Sequence, residues 1–272
     1  MYTMSLEDLP QDCLKQILSL TSPGDACRSS LVSLSIRAMT DSDTVWKKFL
    51  PSECSDILSR LVTPIPYSSN KDLFIRLCNP TLIDGGTKMF SIERSTGKKC
   101  YMLSARDLSI TWASNPLYWS WNCSSESRFA EVAELRTIWW LEICGTLSTE
   151  MLSPNTVYGA YLITKLANRA YGLDLLPSEV SLEVGNFKSQ STVYLTTNQK
   201  VTEVDEHVRP ISRVVEERLR ERTDGWMEIE LGSFYNDGSY YNKDVKMNLK
   251  EVKGAHLKGG LIIEGIEIRP KH

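Results

Sequence analysis

A single change of period constrains this chain most. Up to about residue 80, apolar residues recur at spacings of three and four, the repeat of a helix face. Beyond about residue 86 they alternate at spacing two, the repeat of a strand. The two periods are segregated, which predicts an α+β multidomain protein with a break near residues 80–86. At 272 residues folding buries roughly three quarters of the unfolded surface, so no staple is needed.

In the first part, Asp8 is placed to cap a helix entered through Pro10. Leu9, Cys13, Leu14, Ile17 and Leu18 form its apolar stripe. The run Thr21-Ser22-Pro23-Gly24-Asp25 breaks that helix and caps a second one, with Cys27, Leu31, Leu34 and Ala38 at helical spacing. Ser42 or Asp43 caps a third, which carries Val45, Trp46 and Phe49 and stops at Pro51. Further helical segments are expected over 54–62 and 71–78. The apolar stripe is either the inside of a helical mini-domain or a surface left for a partner.

In the second part, Ser95-Thr96-Gly97-Lys98 reads as a turn between strands 87–93 and 99–104. Residues 132–144 read as one half-buried strand, with Leu135, Thr137, Trp139, Leu141 and Ile143 on one face. Trp139 and Trp140 then face opposite sides, so at least one is expected in the core. More strands are expected at 157–166, 180–184, 191–197, 226–231, 245–252 and 261–268, with a weak helix over 211–222. Some eight strands with glycine-rich turns predict an antiparallel β-sandwich, jelly-roll-like. The expected domains are 1–50, a helical and loop linker over 51–85, and a sandwich over 86–270.

Composition removes several functions. Lys+Arg total 31 against 34 Asp+Glu, so no basic excess points to nucleic acid. No apolar run approaches the roughly 20 residues that span a bilayer. The seven cysteines include no C-x-x-C pair, which argues against a zinc site and for reduced, mostly buried thiols in the cytoplasm or nucleus. There is no G-x-S-x-G elbow, no phosphate loop and no H-E-x-x-H. His207 and His256 lack a recognisable local partner, so no catalytic residue, metal or cofactor is expected.

Aromatic residues are more informative. Trp112, Tyr118, Trp119 and Trp121 crowd around the turn Ala113-Ser114-Asn115-Pro116. They either plug the core or form the flat platform, with Ser114 and Asn115 beside it, that a sugar-binding site needs.

Two stretches resemble known families. Leu6-Glu7-Asp8-Leu9-Pro10-Gln11-Asp12-Cys13-Leu14-Lys15-Gln16-Ile17-Leu18, with Asp25-Ala26-Cys27, Leu31-Val32-Ser33 and Val45-Trp46-Lys47-Lys48-Phe49-Leu50, resembles an F-box. That resemblance implies docking on the Skp-type adaptor of cullin-based SCF ubiquitin ligases through Leu9, Pro10, Leu14, Ile17, Leu18 and Trp46. The second part resembles the phloem protein 2 (Nictaba-like) lectins of plants. The matching stretches run from Ser104 to Trp112, Asn115 to Trp119, Ala130 to Leu135, Thr223 to Ile229 and Ile263 to Pro270. This resemblance implies binding of N-acetylglucosamine oligomers or N-glycans, with Trp112 and Trp119 stacking on sugar and Asp244 and Glu251 as acidic contacts. On a regular strand, however, Asp244 and Glu251 face opposite sides and lie about 23 Å apart.

Together these resemblances imply a non-catalytic substrate receptor of an SCF ligase whose sandwich binds a glycan or glycoprotein. The alternatives are a stand-alone defence lectin, or a receptor whose sandwich binds protein. Truncation of residues 1–50 separates the first alternative from a receptor.

Overall fold

Helix gives way to strand where the period changes: among the described residues the last α-helix ends at Leu77 and the first strand begins at Thr81. The computed structural model describes residues 9–196, 217–238 and 243–271. The helices are α1 (Gln11–Ser19), α2 (Pro23–Ser29), α3 (Leu34–Thr40), α4 (Asp43–Phe49), α5 (Cys54–Ser59) and α6 (Asn70–Leu77). The strands are β1 (Thr81–Ile83), β2 (Lys88–Ile92), β3 (Lys99–Ser104), β4 (Ser109–Ile110), β5 (Trp119–Asn122), β6 (Val132–Leu135), β7 (Leu141–Ser148) and β8 (Thr156–Tyr171). They continue as β9 (Ser178–Val184), β10 (Phe187–Tyr194), β11 (Glu217–Arg218), β12 (Arg220–Glu221), β13 (Met227–Asn236), β14 (Asp244–Glu251) and β15 (Gly259–Pro270). Two compact units result, one ending at Tyr101 and the other starting at Met102.

Serine caps shape the first unit. The hydroxyl oxygens of Ser22, Ser33 and Ser69 accept from the backbone N–H groups of Asp25, Ile36 and Asp72, each cap being worth about 1 kcal/mol. The Ser33 cap starts a new helix at Leu34, so the segment read as one helix from Cys27 to Ala38 is two. Asp8 lies outside the described residues, and α1 begins at Gln11 with Pro10 just before it.

The core of this unit is Trp46, packed edge-on against Phe49 at 5.5 Å and against Phe74 at 5.2 Å. Leu14, Leu18, Val45, Ile57 and Leu77 complete it. The unit extends past the change of period because the β1–β3 region ties back to the helices. Gly24 N–H donates to the Ser95 carbonyl, Lys99 pairs with Glu53, and Arg60 grips both Asp84 oxygens at 2.8 Å.

The second unit has two facing sheets. In one, β8 lies between β15 and β13, with β12 beyond β13, while β6 joins β15 and β5 joins β6. The other runs β11-β10-β9-β14-β7-β4. Described pairs are antiparallel except β10 with β11. In β7, Leu141, Ile143, Gly145 and Leu147 point inward. A Cβ on Gly145 would sit 2.8 Å from Ile266 of the opposite sheet, so glycine is what lets the layers close.

Three sequence expectations are corrected. Residues 132–144 are two strands in different sheets, since Ala133 pairs with Ile263 whereas Ile143 pairs with Leu249. The chain therefore crosses between layers at 136–140. None of the seven free cysteines is buried: Cys13, Cys27 and Cys123 are exposed and the others half-buried. Of the helix expected over 211–222, residues 211–216 lie outside the described residues, as does His207, and 217–218 and 220–221 are strand.

Candidate functional site

The aromatic cluster is built by a backbone turn that runs against the usual preference of its central residue. Trp112 has φ +56°, a left-handed conformation costing a bulky L-residue on the order of 1–2 kcal/mol. Two indoles hold it there. Trp119 Nε1 donates to the Thr111 carbonyl at 2.9 Å, and Trp121 Nε1 donates to the Ala113 carbonyl at 3.0 Å. The carbonyls on both sides of Trp112 are thus clipped. Trp121 is itself covered by the Arg106 guanidinium, 3.6 Å from the ring centre, and Arg106 pairs with Glu131. Asn115 spends its side-chain oxygen inside the turn, accepting from Leu117 N–H at 3.0 Å.

The strain leaves the Trp112 ring 42% exposed. It meets Tyr118 at 5.0 Å and Trp139 at 5.5 Å, the latter edge-on at 64°. Three rings from two loops therefore form a corner open to solvent. Trp139 and Trp140 are 45% and 42% exposed, so neither is in the core as expected from one continuous strand. The layer crossing at 136–140 lifts both off the sheet.

That crossing is firmly held. Arg136 N–H donates to the Tyr118 carbonyl, and Ile138 exchanges two backbone hydrogen bonds with Lys258. The Tyr171 hydroxyl donates to the Arg136 carbonyl. Lys258 Nζ donates to the Trp139 carbonyl at 2.7 Å, and Trp140 Nε1 donates to Glu142.

Of the residues implied as sugar contacts, only Trp112 presents a face. Trp119 is 1% exposed, so it offers no stacking surface and acts as the clip on Thr111. Asp244 and Glu251 stand at the two ends of β14, Asp244 exposed on the outer face and Glu251 buried on the inner. The strand runs in unbroken register with β7, so no bulge brings the pair together. Burial works against ionisation of Glu251, but Lys258 and the Gly254 N–H hold its carboxyl below the usual range. Sequence reasoning missed Trp139 as a member of the corner. The signal available was the adjacent Trp pair, which a single buried strand accommodates poorly.

In the first unit, Leu14, Leu18 and Trp46 are core residues, Trp46 only 1% exposed with Nε1 donating to the Thr40 carbonyl. Pro10 and Ile17 are exposed and Leu9 is half-buried. The larger apolar surface is one the six expected residues omit: Leu31 and Leu34 are 85% and 83% exposed, with Leu20 and Val32 similarly open. Among the described residues no group of three or more His, Cys, Asp or Glu side chains is arranged to hold a metal.

Comparison with known proteins bears on both units. The F-box domain matches residues 6–48 and Phloem protein 2 matches residues 98–270. The chain is 47% identical to the F-box protein PP2-B15 of Arabidopsis thaliana, over 97% of this chain and 96% of that one. It is 45% identical to the F-box protein VBF of the same plant, over 97% and 99%. This chain therefore belongs to the F-box proteins that carry a Phloem protein 2 domain.

Proposed function

We propose that this protein is the substrate-receptor subunit of an SCF ubiquitin ligase, working in the cytoplasm or nucleus, and that its sandwich captures glycans or glycoproteins. The F-box holds a Skp-type adaptor, and the cullin scaffold follows from it. The second unit presents the target, so the chain contributes proximity rather than bond chemistry.

One observation carries the sugar half of this reading: the solvent-open corner of Trp112, Tyr118 and Trp139. Sugar rings expose C–H faces that stack on aromatic faces, while their hydroxyls take hydrogen bonds at the rim. N-acetylglucosamine oligomers fit, because the acetamide methyl adds apolar contact. The ligase half rests on the F-box match and on apolar side chains left open on α1 and around α2 and α3.

A pull-down with the full chain tests the ligase half. Adaptor capture is expected for the wild type and lost for Leu9→Ala with Pro10→Ala. Equal capture by that variant, or none by the wild type, sinks it.

A further inference from the structure

Glu251 is almost fully buried, and its carboxylate is held by groups of the protein itself. The residue is 5% exposed; one oxygen accepts from Gly254 N–H at 2.9 Å and the other faces Lys258. It lines a cleft of about 280 Å³ with Leu176, Pro177 and Val252, while its two oxygens are engaged by Gly254 and Lys258. Lys258 is more deeply buried still, at 1%. A buried ammonium needs its donors satisfied, and Lys258 has two partners in view: the Glu251 carboxylate and the Trp139 carbonyl at 2.7 Å. The same residue's backbone exchanges two hydrogen bonds with Ile138. The next residue, Gly259, lies so close that a Cβ would be 2.4 Å from the Arg136 carbonyl. The loop before β15 is therefore moulded onto the crossing that carries Trp139.

We propose that Glu251 is a positioning residue for the aromatic corner: by fixing Lys258 it fixes the Trp139 carbonyl, and with it the ring that closes the corner against Trp112. The reading rests on the corner being the ligand site. It separates the two acidic residues of β14, leaving Asp244 at the far end of the strand without a part in the corner.

The test uses the full chain with Glu251→Gln, Lys258→Met and both together. Either single change leaves a buried group unpaired and risks misfolding, whereas the double change removes the pair as a unit. With 5-fluorotryptophan incorporated, fluorine NMR reads the Trp139 environment directly, its resonance assigned by Trp139→Phe. In the double variant the Trp139 resonance should shift or broaden while that of Trp46 stays fixed. Chitotriose binding should weaken roughly tenfold, and Lys258→Met should lose as much as the double variant. An unmoved Trp139 resonance in the double variant overturns the proposal. So does a Glu251→Gln loss that Lys258→Met fails to reproduce, which would make Glu251 a direct contact. Absence of chitotriose binding by the wild type would instead remove the glycan reading, and the resonance alone would then decide the positioning role.

Discussion

The indole nitrogen of Trp119 lies 2.9 Å from the carbonyl oxygen of Thr111, one residue ahead of the left-handed Trp112. A buried ring thus holds the backbone on which an exposed ring is displayed, and the two tryptophans should respond differently to substitution.

Trp119→Ala should cost about 3–5 kcal/mol, the usual penalty for deleting a buried indole, and weaken ligand capture only as a consequence. Trp112→Ala should leave thermal stability nearly unchanged while abolishing capture. Thermal melts and chitotriose titration on both variants check this. Equal stability losses would show that Trp112 is a packing residue.

The first unit offers the same contrast. Trp46→Ala opens a cavity among Phe49, Phe74 and the Thr40 carbonyl and should destabilise by about 3–5 kcal/mol. Leu31→Asp with Leu34→Asp changes only exposed side chains and should shift stability by less than about 0.5 kcal/mol each. If those leucines belong to the adaptor face, the double change also stops adaptor capture. Melting curves with a parallel pull-down separate the outcomes.

Gly265 is fixed by close approach: a Cβ there would lie 1.9 Å from the Leu103 carbonyl, beside the register shift between Ile263 and Gly265. Gly265→Ala should destabilise by at least about 1–3 kcal/mol, whereas Gly85→Ala meets nothing within 4 Å and carries only the cost of its φ of +65°. Urea titration of the two variants should rank them in that order.

Asp84 is gripped by Arg60 through two 2.8 Å contacts, which hold its carboxyl below the ordinary range. A carboxyl depressed in the folded state stabilises above its unfolded value of about 3.9 and loses that contribution as pH falls through the folded value. Asp84→Asn should therefore cost up to about 1 kcal/mol at pH 7, a figure reduced for partial solvent screening. The difference from wild type should shrink below about pH 4. Denaturant titration at pH 7 and pH 3 measures it.

Much of the scaffold was legible in the sequence because it obeys local rules. The breaker run from Thr21 to Asp25 marked the cap between α1 and α2, and alternation marked β13, β14 and β15. The largest error comes from tertiary context overriding period. The crossing at 136–140 looks like strand because Leu135, Leu141 and Ile143 are all inward, but they are inward in two different sheets. Trp119 and Trp112 both read as stacking candidates, and only the clip on Thr111 shows which is inside. Glu251 and Asp244 were separable in advance, since odd spacing on a strand places them on opposite faces.

The claim that Trp112 and Trp139 make a ligand site is tested most directly by calorimetric titration of the full chain with chitotriose. The wild type should bind, and Trp112→Ala with Trp139→Ala should not, while its melting temperature stays within about 2–4 °C of wild type and adaptor capture is retained. No heat of binding with the wild type, or unchanged affinity in the double variant, would contradict the account.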